Sequence, residues 1–241
     1  MVFVEEIDLG DFLLTKYYSL YLKKTKTMVM ADLHIGFEDV MAEKGLFLPK
    51  IQKSIIMDIL ENLFRYYEID SFLIDGDFKH EFSKNMKQEW NEIEFIIKYL
   101  KDKCSISVVR GNHDNYLKGI LAKYDIKLHD RLKIENYVFI HGHRKYEGDE
   151  KVIIGHEHPS VKFRDPSGSI ITYPSFVVGE NIIVLPSPSI YSSGSDIIAG
   201  EILSPIFKDR IKGNERIYGI DNKIGLIYFG IYKDLKGKIF S

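Results

Sequence analysis

The chain reads as an α/β protein whose second half is rich in strands, and three observations carry that reading. Through the first half, apolar runs of strand length alternate with segments whose apolar residues recur every three to four positions. After about Lys127 the helical period fades and short strand-like runs follow one another. Seven of the eight histidines sit in short motifs, each close behind an apolar run, which is where α/β proteins collect ligands. With 241 residues, 45% of them hydrophobic, the chain has enough apolar surface to build one large domain over residues 1–241.

Phe12 to Leu14 and Ser19 to Leu22 read as a short hairpin, and Thr27-Met-Val-Met-Ala reads as a buried strand ending at Asp32 and His34. Pro49 is expected to open a helix, because Ile51, Ile55, Ile59 and Leu63, with Ile56, Leu60 and Phe64, keep the spacing of one buried face. Ser71 to Ile74 is the next strand and runs into Asp75, Gly76 and Asp77. A second helix should turn Trp90, Ile93, Ile97 and Leu100 inward, and the strand Ile106 to Val109 then delivers Gly111-Asn112-His113-Asp114. Beyond Lys127 the expected strands are Leu132 to Ile134, Tyr137 to Ile140, Lys151 to Ile154, Ser169 to Thr172, Phe176 to Gly179 and Ile182 to Leu185, enough for a second sheet. The Pro/Ser/Gly-rich run from Leu185 to Ser195 reads as a loop, with strand-like sequence resuming from Lys223 to Ile231.

Composition narrows the function classes. Cys104 is the sole cysteine, so a disulfide framework is excluded, and its place in Cys-Ser-Ile-Ser-Val-Val reads as a buried strand position. The amino terminus lacks a basic region followed by a long apolar stretch, and no window approaches a membrane span, so a cytoplasmic protein with no membrane partner is expected. A net charge of −2 is not the footprint of a strongly basic nucleic-acid binder.

The histidines carry the chemistry. Asp32-Leu-His34, Gly76-Asp77-Phe-Lys-His80, Gly111-Asn112-His113-Asp114, His141-Gly-His143 and Gly155-His156-Glu157-His158-Pro159 together offer carboxylate, imidazole and amide oxygen, and only His129 stands outside. That mixture is what a pair of divalent cations takes, with one carboxylate shared between them. Residues two apart on an extended exit from a strand point to one side, so Asp32 with His34, and His156 with His158, are expected to grip as pairs. Asp77, in a glycine-preceded turn, is the natural bridging carboxylate, and Asn112 offers a neutral oxygen. Any one motif occurs by chance, whereas five in one chain point to a single assembled site.

The ordered set resembles the calcineurin-like metallophosphoesterase superfamily, whose pattern runs D-x-H, G-D-x-x-D/H, G-N-H-D/E, H and G-H-x-H; here it spans Asp32 to His158. The resemblance implies a four-layer α/β/β/α sandwich with two mixed β-sheets and two divalent ions, Mn²⁺ in the first instance, with Fe, Zn, Ni or Mg as alternatives. It places Asp32, His34, Asp77 and His158 on one ion, and Asp77, Asn112, His141 and His156 on the other. His113 would stabilise the transferring phosphoryl group or protonate the leaving oxygen, with Asp114 orienting its ring. The ending of Gly76-Asp77-Phe78-Lys79-His80 is similar to the G-D-x-x-H variant of SbcD-type nucleases, which would bring His80 to the substrate phosphate. The whole chain looks like the small archaeal SbcD-related and DNA-ligase-associated phosphoesterases. At 241 residues it is expected to lack the capping domain of SbcD and a docking segment for an ATPase partner.

The resulting expectation is a two-metal phosphodiesterase, nuclease-like on single strands or ends. A small-molecule phosphodiesterase or phosphatase, acting for instance on cyclic nucleotides, and a non-catalytic scaffold of the same fold remain as alternatives, and dimerisation is left open. His143 is expected to assist at a metal ligand or phosphate, with simple polar packing as the alternative, and His129 to be structural or exposed. Lys79, Lys84, Arg144 and Lys145 flank the motifs, where each either rims the cleft or is a solvated surface charge.

Overall fold

The computed structural model describes residues 4–81, 83, 86–164, 167–192 and 194–237. The first part of the chain folds as β1 (Glu6–Asp8), β2 (Phe12–Thr15), β3 (Ser19–Leu22), β4 (Thr27–Met30), α1 (Phe37–Glu43), α2 (Gln52–Tyr66), β5 (Ser71–Asp75), α3 (Lys87–Lys101), β6 (Ser105–Val109), α4 (Leu117–Ala122) and β7 (Leu128–His129). These strands form one sheet in sequence order, antiparallel from β1 to β4 and parallel from β4 to β7. The second part contributes β8 (Leu132–Ile134), β9 (Tyr137–Phe139), β10 (Lys151–Ile154), β11 (Pro159–Arg164), β12 (Ile170–Val178), β13 (Ile182–Val184), β14 (Ser195–Asp196), α5 (Pro205–Arg210), β15 (Arg216–Asp221), β16 (Gly225–Ile231) and α6 (Tyr232–Leu235). Its sheet runs β14-β11-β12-β13-β10-β9-β8, and β15 pairs with both β12 and β16.

Strand alternation explains the four layers. In Thr27-Met-Val-Met-Ala, Met28 and Met30 join a core with Ile56, Leu60 and Leu63 of α2 and Ile93, Ile97 and Leu100 of α3. Val29 and Ala31 face the other way, into a second core with Phe139, Ile153, Phe176 and Ile183 of the opposite sheet. The outer face of that sheet, through Val152, Ile154 and Val184, packs on Ile206 and Phe207 of α5 and on Tyr232 and Leu235 of α6. A fully buried side chain of this size contributes roughly 1.5–3 kcal/mol, so both sheet faces of β4 are stabilising. The α/β/β/α sandwich with two mixed sheets is therefore the fold.

Several boundaries differ from expectation for identifiable reasons. The second helix starts at Gln52 rather than at Pro49, because Glu38 accepts the first free N–H groups at Ile51 (3.0 Å) and Gln52 (2.8 Å), and Ile51 is left 41% exposed. The two strands expected on either side of Pro174 are one, β12; Pro174 lies where β12 passes from its pairing with β11 to its pairing with β15, so the missing donor costs little. Cys104 sits one residue ahead of β6 and is only half-buried, its thiol pushed up to about 11 by burial. His129 pairs within β7, where its carbonyl accepts from the Arg110 N–H at 2.7 Å.

Candidate metal centre

All five motifs lie on loops at strand ends, and the two sheets bring them together. The loops of the first sheet are tied backbone to backbone: Asp32 N–H donates to Gly76 O (3.1 Å), His34 N–H to Asp77 O (3.0 Å) and Ile35 N–H to Phe78 O (3.0 Å). The chain does not leave its strands in the expected extended form. Asp32, His34, Asp77, His156 and His158 all have left-handed backbone, with φ between 45° and 62°. Each such non-glycine residue costs on the order of 1–3 kcal/mol, which persists only where the surroundings fix it, and functional sites are where such strain collects. Glycine makes room at two points. A Cβ on Gly76 would lie 2.1 Å from His141 Nδ1, and one on Gly111 would lie 2.0 Å from Asp77 Oδ1.

Among the described residues three groups of side chains could hold an ion: Asp32, His34 and His158; Asp77, His141 and His156; and His34, His80 and His113. In the first, His34 Nε2 faces His158 Nε2 at 3.2 Å, and His158 Nε2 stands 3.4 Å from Asp32 Oδ2. In the second, His141 Nε2 stands 3.0 Å from Asn112 Oδ1 and 3.3 Å from Asp77 Oδ2. Asp77 lies between the groups, its Oδ2 3.9 Å from both His34 Nε2 and His113 Nε2. The seven expected ligands are thus in one place.

The donor set fits divalent cations on chemical grounds. His141 Nδ1 pairs with the Asp75 carbonyl (3.4 Å), which can only accept, so a neutral His141 keeps its proton there and presents a lone pair at Nε2; His158 Nδ1 pairs with Ser192 Oγ (2.7 Å), a hydroxyl able to take the same proton. Lone pairs of nitrogen and oxygen facing one another at this range need a cation or a proton between them. The titration behaviour says the same: burial would lower His141, but the hydrogen bond and charge of Asp77, with Asp32, raise it to about 9. Asp77 is held below the usual carboxylate range, with His141, His34 and His113 outweighing its burial. Burial, helped by His158, lowers His34 to about 3, so its ring is neutral at neutral pH.

Beside the ligands lies a cavity of about 400 Å³, walled by His34, Asp77, His80, Asn112, His113 and His158 on one part and by Phe37, Tyr191, Ser192 and Leu203 on another. Phe37 stacks on Tyr191 (centroids 4.8 Å apart, 10° between planes) and meets His80 at 4.6 Å. His80 Nδ1 lies 3.3 Å from His34 Nδ1, and His113 Nδ1 donates to the His80 carbonyl.

Residues 25–178 match the family described as Calcineurin-like phosphoesterase. The chain belongs to that family. This phosphoesterase is accordingly a metal-dependent hydrolase of phosphoesters, and its Asp and His clusters are able to hold the divalent ions the family uses. Among solved structures it is similar to the Pseudomonas putida nuclease MPE, at 22% identity over 89% of this chain and 96% of that one, with a TM-score of 0.66; at that identity the likeness concerns the fold. No curated protein matches it. Among the described residues no helix is long and apolar enough to cross a membrane.

Two expected roles change in the phosphoesterase. Asp114 does not orient the His113 ring: its carboxylate accepts from the Gly111 N–H (2.8 Å) and the Lys79 N–H (3.3 Å), binding the second and third motifs together. Burial and the charge of Asp77 raise it to about 7. Lys79 is no rim residue, because it is buried with Glu89 in an ion pair of 3.1 Å, and Glu89 in turn accepts from His80 N–H (3.1 Å) and Glu81 N–H (2.9 Å). An isolated ammonium there would be costly, so the pair forms where both charges are desolvated. Arg144 and Lys145 are exposed beside His143, as expected of rim residues, while Lys84 lies outside the described residues.

Three contributors escaped the sequence reading. Glu157, fully buried between the two histidine ligands, accepts from Leu203 N–H (2.9 Å) and Ser204 N–H (2.7 Å), and Ser204 Oγ donates to Gly142 O (2.8 Å). That knits the His141 loop to the His156 loop. Asp75, fully buried, has no hydrogen-bond partner for either carboxylate oxygen among the described residues, and burial pushes it well above the usual range. Its signal was an acid where the alternation of β5 calls for an apolar side chain. Ser192, which fixes His158, carried no signal in its Ser-rich loop.

Proposed function

We propose that the phosphoesterase hydrolyses phosphodiesters, using two divalent ions, Mn²⁺ first among them, and acts on nucleic acid as single strands or at ends. The observation that carries this reading is the position of Asp77, one carboxylate within reach of both imidazole groups. Asp32, His34, Asp77 and His158 would hold one ion, and Asp77, Asn112, His141 and His156 the other. When bound, such ions lower the pKa of water and neutralise the oxygens of the transferring phosphoryl group.

The remaining chemistry falls to the protein. His113 gives its Nδ1 proton to the His80 carbonyl and turns Nε2 to the cavity side, where the doubly protonated ring would stabilise the leaving oxygen or protonate it from Nε2. A His34 whose Nε2 serves a cation keeps its proton on Nδ1 and donates it to His80 Nδ1, which leaves the His80 proton on Nε2. Burial, helped by His113, lowers His80 to about 4, so the ring is a neutral donor for a phosphate oxygen at neutral pH. The name of the Pseudomonas neighbour, a nuclease, supports nucleic acid as the substrate class, as does the resemblance of the second motif to SbcD-type enzymes.

The rival is a small cyclic or linear nucleotide, favoured by the Phe37–Tyr191 pair beside a cavity of about 400 Å³. Mn²⁺-loaded protein should be assayed on bis-aryl and mono-aryl phosphates, a cyclic nucleotide, and single- and double-stranded oligonucleotides. The bis-aryl ester should exceed the mono-aryl ester in kcat/KM, and single strands or ends should be cut. Faster monoester hydrolysis, or cleavage of the cyclic nucleotide with no oligonucleotide cut, would hand the site to the small-molecule reading.

A further inference from the structure

A second cavity, of about 640 Å³, opens beside the metal centre, and the two share Asn112 as a wall. Its lining includes Arg110, His143, Arg144 and Lys145, against one acid, Asp130. The chain as a whole carries 33 basic and 35 acidic side chains, so three cations to one acid is a local concentration rather than the general surface. Asp130 does little to neutralise it. The Arg110–Asp130 contact is 3.8 Å between side chains 43% and 91% exposed, which is worth little in water. Arg144 and Lys145 make no hydrogen bond or ion pair with a described residue. His143 Nδ1 is buried without a hydrogen-bond partner among the described residues. Three cations thus line a cavity that adjoins the reacting centre, and apart from the shared Asn112 none of its lining residues is an expected metal ligand.

The geometry points to a flanking-phosphate subsite: we propose that this second cavity binds the phosphate next to the scissile one, so that the substrate is a single strand continuing past Asn112. The inference rests on the phosphodiesterase reading and names its substrate class. A guanidinium matches a phosphate oxygen pair in a planar fork, and two of the three cations are arginines. The walls that the first cavity does not share are different: Phe37, Tyr191 and Leu203 offer aromatic and apolar surface suited to a base. The strand would then lie with a base at the aromatic wall and its continuing backbone on Arg110, Arg144 and Lys145.

The test compares wild type with Arg144→Ala/Lys145→Ala, both Mn²⁺-loaded, on a bis-aryl phosphate, which has no flanking phosphate, and on a single-stranded octathymidylate. The ratio of oligonucleotide to bis-aryl kcat/KM should fall about tenfold or more in the double variant. The slope of log(kcat/KM) against log salt for the oligonucleotide should shrink by about one to two. A ratio within twofold of wild type, or an unchanged salt slope, would overturn the subsite while leaving the diesterase reading intact. A wild-type protein active on neither substrate would overturn both.

Discussion

The two sheets supply the same centre by different means. The first sheet's loops are tied to one another by backbone hydrogen bonds, Asp32 to Gly76, His34 to Asp77 and Ile35 to Phe78, with the Asp114 and Gln52 side chains adding to them. The second sheet's loops are held by side chains: Glu157 on the 203–204 backbone, Ser204 on Gly142, and Ser192 on His158. Across the seam, His156 N–H donates to Asp32 Oδ2 (2.8 Å) and Ser187 Oγ to Asp32 O (2.7 Å). The first sheet therefore acts as the fixed jaw of the centre, and the second as a jaw whose position single side chains can change. Substitutions should separate the two.

The largest effect is expected at the seam itself. Asp77→Ala removes the carboxylate proposed to be shared by both ions, so it should lose most bound metal and essentially all activity. Metal analysis finding two tightly held ions per variant chain would break the picture of a shared carboxylate. His113→Ala should come next: the fold and the metals stay, while activity falls by roughly 10² to 10⁴, the usual span for a positioned acid or charge stabiliser. A metal-free His113→Ala protein would instead make His113 a ligand. The smallest effect, and the sharpest on the contrast between jaws, is expected at Glu157→Gln. Retaining shape but losing a charged acceptor for two N–H groups, it should weaken metal binding by about tenfold to a hundredfold, as supporting residues around ligands commonly do. Wild-type metal affinity in this variant would mean that the second sheet's loops hold themselves.

The same contrast governs how far the sequence could be read. The helices α2 and α3 were legible because 15 residues each carry several turns of apolar period, and β4, β5 and β6 because buried parallel strands are continuous apolar runs. The helix α1, with seven residues, is too short for a period to stand out, and β11 opens on Pro159 inside a motif already assigned to function. The clustered Asp, Asn and His residues stood out in the sequence because donors of these types in this order are what a pair of cations would require. The path of the chain through them did not: left-handed backbone at Asp32, His34, Asp77, His156 and His158 accompanies tertiary hydrogen bonds, and although Asp and His tolerate it better than most residues, their types were already explained by the chemistry they offer. Asp114 was assigned to the ring beside it, whereas a buried carboxylate three residues from Gly111 found the free backbone N–H groups first. Lys79 shows the opposite limit. A lysine next to a loop motif reads as surface, and only the fold brings Glu89 to it.

The claim that two ions bridge the two sheets has a direct test in a crystal grown with Mn²⁺ and measured for anomalous scattering. Two peaks are expected, about 3.5–4 Å apart, one touched by Asp32, His34, Asp77 and His158 and the other by Asp77, Asn112, His141 and His156. A single peak, or a peak held by His34, His80 and His113 in place of either, would contradict the account.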